Sequence, residues 1–166
     1  MRLAWVHSGA AWRVIAARFV PALAGLSLLW EAGQFPFYTL WDEGSTEEIA
    51  FAALHCTGGD VLIGTGALML ALIAARAGPP ETWRVPRIVA MTVTLAVSYT
   101  IFSEWMNVVW RASWGYTSAM PTLPVFGTGA APLLQWLVVP TLALWFALPR
   151  AGRARRLGRA SPRQGG

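Results

Sequence analysis

The stretch FAALHCTGGDVLIGTGALMLALIAA, Phe51 to Ala75, constrains the fold most, because it is an apolar run long enough to cross a bilayer that still carries His55, Cys56 and Asp60. A spanning helix needs about 20 apolar residues, and an ionisable group within one is costly enough to mark a functional position. On a helix, Ala52, Cys56, Asp60 and Gly64 recur at every fourth position and form one stripe of small or polar side chains. His55 lies about 100° round from Cys56. Such a stripe is expected to face protein and not lipid.

A hydrophobic fraction of 55% against 13% charged residues excludes an ordinary water-soluble domain for this 166-residue chain. Apolar segments at about 19–40, 49–75, 88–109 and 130–148 each approach the spanning length. The predicted fold is therefore all-α, a polytopic membrane protein built as a four-transmembrane-helix bundle over residues 19–148. The first eighteen residues, with Arg2, Arg13 and Arg18 set among Trp5, Trp12 and Ile15, are expected to lie along the cytoplasmic interface. They do not read as a cleaved signal, since the apolar run that follows continues through Trp30 to Tyr38.

Charge sets the expected orientation. All thirteen basic residues are arginine, and they flank the apolar runs instead of forming a patch with stacking aromatics, so the net charge of +5 argues for topology and against nucleic acid. Arg2, Arg13 and Arg18 precede the first span, Arg76, Arg84 and Arg87 lie between the second and third, and six arginines follow the fourth. Only Arg111 falls in the other two connections. Both termini and the 76–87 connection are thus expected on the cytoplasmic side of a bacterial inner membrane. Trp41, Trp105, Trp110, Trp114 and Tyr116 would form the outer aromatic belt. The 110–129 connection, rich in Gly, Pro, Ser and aromatics, is expected to cap the bundle. The basic tail, 151–166, is expected to be disordered and drawn to anionic lipid headgroups.

Counting about 1.5 Å of rise per residue places the polar side chains by depth. Glu31 falls roughly 13 Å, His55 about 9 Å and Asp60 about 16 Å below the outer ends of their spans, with Glu104 and Gln135 nearer the outer surface. Glu31, Gln34 and Tyr38 share a helix face, as do Glu104, Asn107 and Arg111. The expected result is a cavity in the outer half whose candidate ligand- or proton-binding residues are Glu31, Gln34, Asp60, Glu104, Asn107 and Gln135. Arg111 is expected to pair with Glu104 or with the acids of the 42–48 loop.

Three uses of such a cavity are open. His55 and Cys56, with a carboxylate, are candidate ligands for a metal ion such as copper or zinc, although no HxxxH or CxxC spacing supports them. Buried acids suit proton transfer, or acid and base chemistry on a lipid or isoprenoid, without a nucleophile motif beside them. The same groups also serve to hydrogen-bond helix to helix, which is the ordinary role of Gln34, Asn107 and Gln135. Gly58, Gly59, Gly64 and Gly66 read as close-packing positions. A single cysteine excludes a disulfide or dithiol exchange within the chain. No cofactor is indicated by the residues, and a subunit role with a membrane protein partner is the third reading.

The runs WEAGQFPFYTLW, FAALHCTGGDVLI, FSEWMNVVWRASWGYTSAMPTLP and GTGAAPLLQWLVVP, with HCxxGD and SEWxNV motifs, resemble a family of small four-span inner-membrane proteins of bacteria without an assigned activity. The resemblance covers most of residues 28–148 and implies the same topology. A looser similarity, through E-x-x-Q-x-P at Glu31 to Pro36, is to sterol-isomerase and sigma-2-receptor type bundles. It implies architecture only.

Overall fold

A computed structural model describes residues 4–124 and 126–148. Among them, four helices are long and apolar enough to cross a membrane: Gly9–Phe37, Thr46–Ala74, Val85–Trp110 and Ala130–Ala147. The described chain is all-helical apart from isolated bridges, and the four long helices form the predicted bundle. The second, third and fourth begin within three residues of the predicted spans. The first begins ten residues earlier than position 19, and Trp5, Ala11, Val14 and Ile15 are buried in the core instead of lying along a surface. The tail, 151–166, lies outside the described residues.

Local chemistry explains the helix ends. Ser8 caps the first helix by accepting from Ala11 N–H at 3.2 Å. Pro21 follows a π turn, Ile15–Phe19, and Pro36 sits in the 3-10 turn Phe35–Phe37 that ends the helix, as expected where prolines withhold backbone N–H groups. Ser45 and Glu48 cap the second helix reciprocally, with bonds of 2.8 and 3.3 Å. Its other end closes with Arg76 in the left-handed region (φ 52°), where Arg76 N–H reaches Ile73 O and Ala77 N–H reaches Leu72 O at 3.0 and 2.9 Å.

Each long helix packs on its neighbours in chain order, and the first closes the ring on the fourth. This is an up-down-up-down arrangement. Buried positions recur every three or four residues. They are Leu23, Ser27, Glu31 and Gln34 on the first helix and Ile88, Thr92, Ala96, Thr100 and Glu104 on the third. The end of the bundle holding Gly9 and Ala147 is filled by Phe19, Leu23, Leu68, Leu72, Ile88 and Leu144. Beyond a thin layer of Ala67, Ala96 and Trp136, the interior of the other half turns polar. Gly64 lets the second helix approach this layer: a Cβ there would lie 2.7 Å from Leu23 Cδ2 and 3.3 Å from Trp136. The expectation of close packing fails at Gly58, Gly59 and Gly66, where an added Cβ meets nothing within 4 Å. At Gly59 the open space is a cavity within the bundle, and Gly58 and Gly66 likewise leave room for a methyl group.

The connection after Trp110 folds back over the polar end. Thr39 N–H donates to Gly115 O and Thr117 N–H to Phe37 O, both at 3.0 Å, strapping the loop to the end of the first helix. The Tyr38 and Tyr116 rings meet edge to face at 5.4 Å. Gly129 is required by close approach, since a Cβ would meet Met120 Sδ at 3.0 Å and the Tyr116 ring at 3.1 Å.

Candidate functional site

Under this loop lies a cavity of about 390 Å³. Every residue named above as a candidate ligand-, proton- or metal-binding group lines it: Glu31 and Gln34 from the first helix, His55, Cys56 and Asp60 from the second, Glu104 and Asn107 from the third and Gln135 from the fourth. Trp136 and Ile63 form part of its apolar wall, and Trp114 reaches it from the loop.

The three carboxyls are buried, and among the described residues none meets an arginine. Gln34 Nε2 donates to Glu31 Oε1 at 2.9 Å, and Trp30 Nε1 donates to Gln34 Oε1 at 3.2 Å, so the amide orients the acid from the same helix. Gln135 Nε2 donates across the bundle to Asp60 Oδ2. Glu31 adjoins both Asp60 and Gln135, which brings two carboxyls and an amide from three helices together. The Ser27 hydroxyl, fully buried, faces the Asp60 carboxyl, and Trp114 Nε1 faces that of Glu104, so the nearest acceptor for each buried donor is an acid of the cavity.

Glu104 departs from expectation in its partner. Arg111 is exposed, and the Tyr116 hydroxyl donates to the Glu104 carboxylate instead. The loop carries Tyr116 back over the helix end, where it also accepts from Gly129 N–H at 3.0 Å. Burial, and then the adjoining Glu104, push the Tyr116 phenol above the usual tyrosine range. Burial does the same to Tyr38, reinforced by the charge of Glu104. Trp114 therefore lines the cavity, and Tyr116 is bonded to one of its acids. Only a loop that folds back can put them there, and aromatic content alone carries no such signal.

Asn107 lies in the π-helical turn Trp105–Trp110 and spends its amide locally, on Ser103 O at 2.9 Å and Ser103 Oγ at 3.3 Å. His55 and Cys56 sit at the cavity edge and are both exposed, with the imidazole stacked on Phe51 at 5.6 Å. Adjacent helical positions diverge by about 100°. Accordingly, no group of three or more His, Cys, Asp or Glu among the described residues is arranged to hold a metal ion.

What the arrangement can do chemically follows from its charge and wall. Unpaired carboxyls and amide oxygens accept hydrogen bonds and attract cations, and the rings of Tyr38, Trp114 and Trp136 offer π faces to a cation. Among the described residues no arginine or lysine lines the cavity. No protein-family model, curated protein or solved structure matches the chain.

Proposed function

We propose that this chain is an integral inner-membrane protein with both termini cytoplasmic, whose cavity binds a small ligand carrying a protonated amine or several hydrogen-bond donors. The orientation rests on the arginine distribution. The ligand class rests on one observation: carboxyls from three different helices line a single cavity of about 390 Å³ with no arginine to neutralise them. Helix-to-helix hydrogen bonding accounts for amides at these positions, but three acids around a void are better satisfied by an occupant.

A second reading, proton exchange with a bound lipid or isoprenoid, is favoured by the adjacency of Glu31 and Asp60, since one carboxyl can accept a proton while the other donates. Native mass spectrometry of the purified protein tests the first reading. A copurifying amine that is lost from Asp60→Asn supports it, and a wild-type protein that carries nothing and is not stabilised by any of a panel of amines rejects it.

A further inference from the structure

The cavity has two sides through which an occupant can arrive. Its loop end is roofed: Trp114 lines it from above, Tyr116 is bonded to Glu104, and the loop is strapped to the first helix by the Thr39–Gly115 and Thr117–Phe37 bonds. Its flank between the second and third helices is not. There Cys56 and Tyr99 both line the cavity and are both exposed, Tyr99 to 49%. Cys56 is ten residues from Thr46 and Tyr99 eleven from Trp110, so each lies about 15 Å along its helix from the loop end. The 29-residue second helix is about 43 Å long and overshoots a hydrocarbon core of about 30 Å at its ends, so this mouth lies within the half of the core nearer the loop, among acyl chains.

Size sets the kind of occupant. At about 30 Å³ per water-sized group, 390 Å³ holds on the order of thirteen such groups, enough for a polar head but not for a membrane lipid with its tails. A longer molecule must leave its tail in the mouth. Behind the mouth stand Asp60 and Glu31, both lining the cavity.

We infer that the cavity is loaded sideways from the bilayer by a single-chain amphiphile with a protonated amine head, the head meeting Asp60 and Glu31 and the tail lying between Cys56 and Tyr99. This deepens the proposed function and rests on it. A phosphate-bearing headgroup fits less well, because no arginine or lysine among the described residues lines the cavity to receive the phosphate.

The test uses the full chain in lipid nanodiscs and an octadecylamine, longer than the cavity can hold, carrying a diazirine near the middle of its chain, at low mole fraction, with the crosslinked peptides mapped by mass spectrometry. Labelling is expected at the mouth, around Cys56 and Tyr99. The Asp60→Asn, Glu31→Gln pair is expected to lower it about tenfold or more, as loss of a charge-assisted contact does. Cys56→Trp or Tyr99→Trp, each plugging the mouth, should lower it similarly, while Leu62→Trp, on the same helix but exposed and outside the cavity, should not. An octadecanol of the same design should label the mouth poorly.

Label confined to the 111–129 loop, or undiminished by both mouth variants, overturns sideways loading while carboxylate dependence keeps the cavity reading. Equal labelling by the alcohol overturns the amine head. Labelling indifferent to the acid pair removes the cavity reading itself, and this inference with it.

Discussion

Tyr116 donates its hydroxyl to the Glu104 carboxylate and accepts from the Gly129 N–H at 3.0 Å. One phenol thereby joins the third helix, the loop that follows it and the start of the fourth helix. A hydrogen bond to a charged group contributes about 1.5–3 kcal/mol. Tyr116→Phe is expected to lower unfolding stability by that order and to raise hydrogen exchange in 111–129 selectively. Exchange that rises equally everywhere would show that the bond does not act as a local tether.

The same phenol gives a pH dependence with a fixed sign. Burial, then Glu104, keep Tyr116 protonated above its usual range in the folded chain, whereas the unfolded phenol ionises near about 10. Above that pH the unfolded state binds fewer protons than the folded one, so this contribution is intact below about pH 10 and declines as pH rises. Denaturation midpoints should fall more steeply above pH 10 in the wild type than in Tyr116→Phe. Parallel curves for the two proteins would refute the assignment.

Asp60 and Gln135 join the second and fourth helices. Interhelical hydrogen bonds in membranes contribute about 0.6–2 kcal/mol. Gln135→Leu should cost more than this, because Asp60 is left buried without its donor, and adding Asp60→Leu should recover part of the loss. Thermal unfolding of the two single variants and the double variant measures the coupling, and additive losses would mean the two side chains act independently.

Glycines on one helix should respond oppositely to alanine. Gly64→Ala drives a methyl against Leu23 and Trp136 and should destabilise by about 1–3 kcal/mol, with Leu23→Ala in the same chain relieving the clash. Gly58→Ala and Gly66→Ala enter open space and should be neutral, or stabilising by up to about 1 kcal/mol through helix propensity. A destabilising Gly58→Ala would show that this face is covered.

His55 and Cys56 diverge at the cavity edge without a third ligand. Chelator treatment and Cys56→Ser should leave the unfolding midpoint within about 0.5 kcal/mol of the untreated wild type, the range of changes away from critical contacts. A midpoint that falls with chelator and is restored by zinc or copper would reinstate the metal reading.

The sequence by itself determined the four helices and the level of each acid along them. In hydrocarbon every backbone polar group must be satisfied within its own segment, so apolar length dictates helix, and a constant rise converts residue number into depth. Rotation about each axis was determined only in part. The stripe through Asp60 and Gly64 marked a side of the second helix that is buried, but lipid and protein neighbours both accept apolar groups, so Gly58 and Gly66, off that stripe, also read as close-packing positions. Only the tertiary structure decided that Tyr116, rather than Arg111, meets Glu104, and that Trp114 turns inward, since both follow from a loop folded back on the bundle. The path of such a loop is set by long-range contacts such as Thr39 with Gly115, which residue periodicity does not encode.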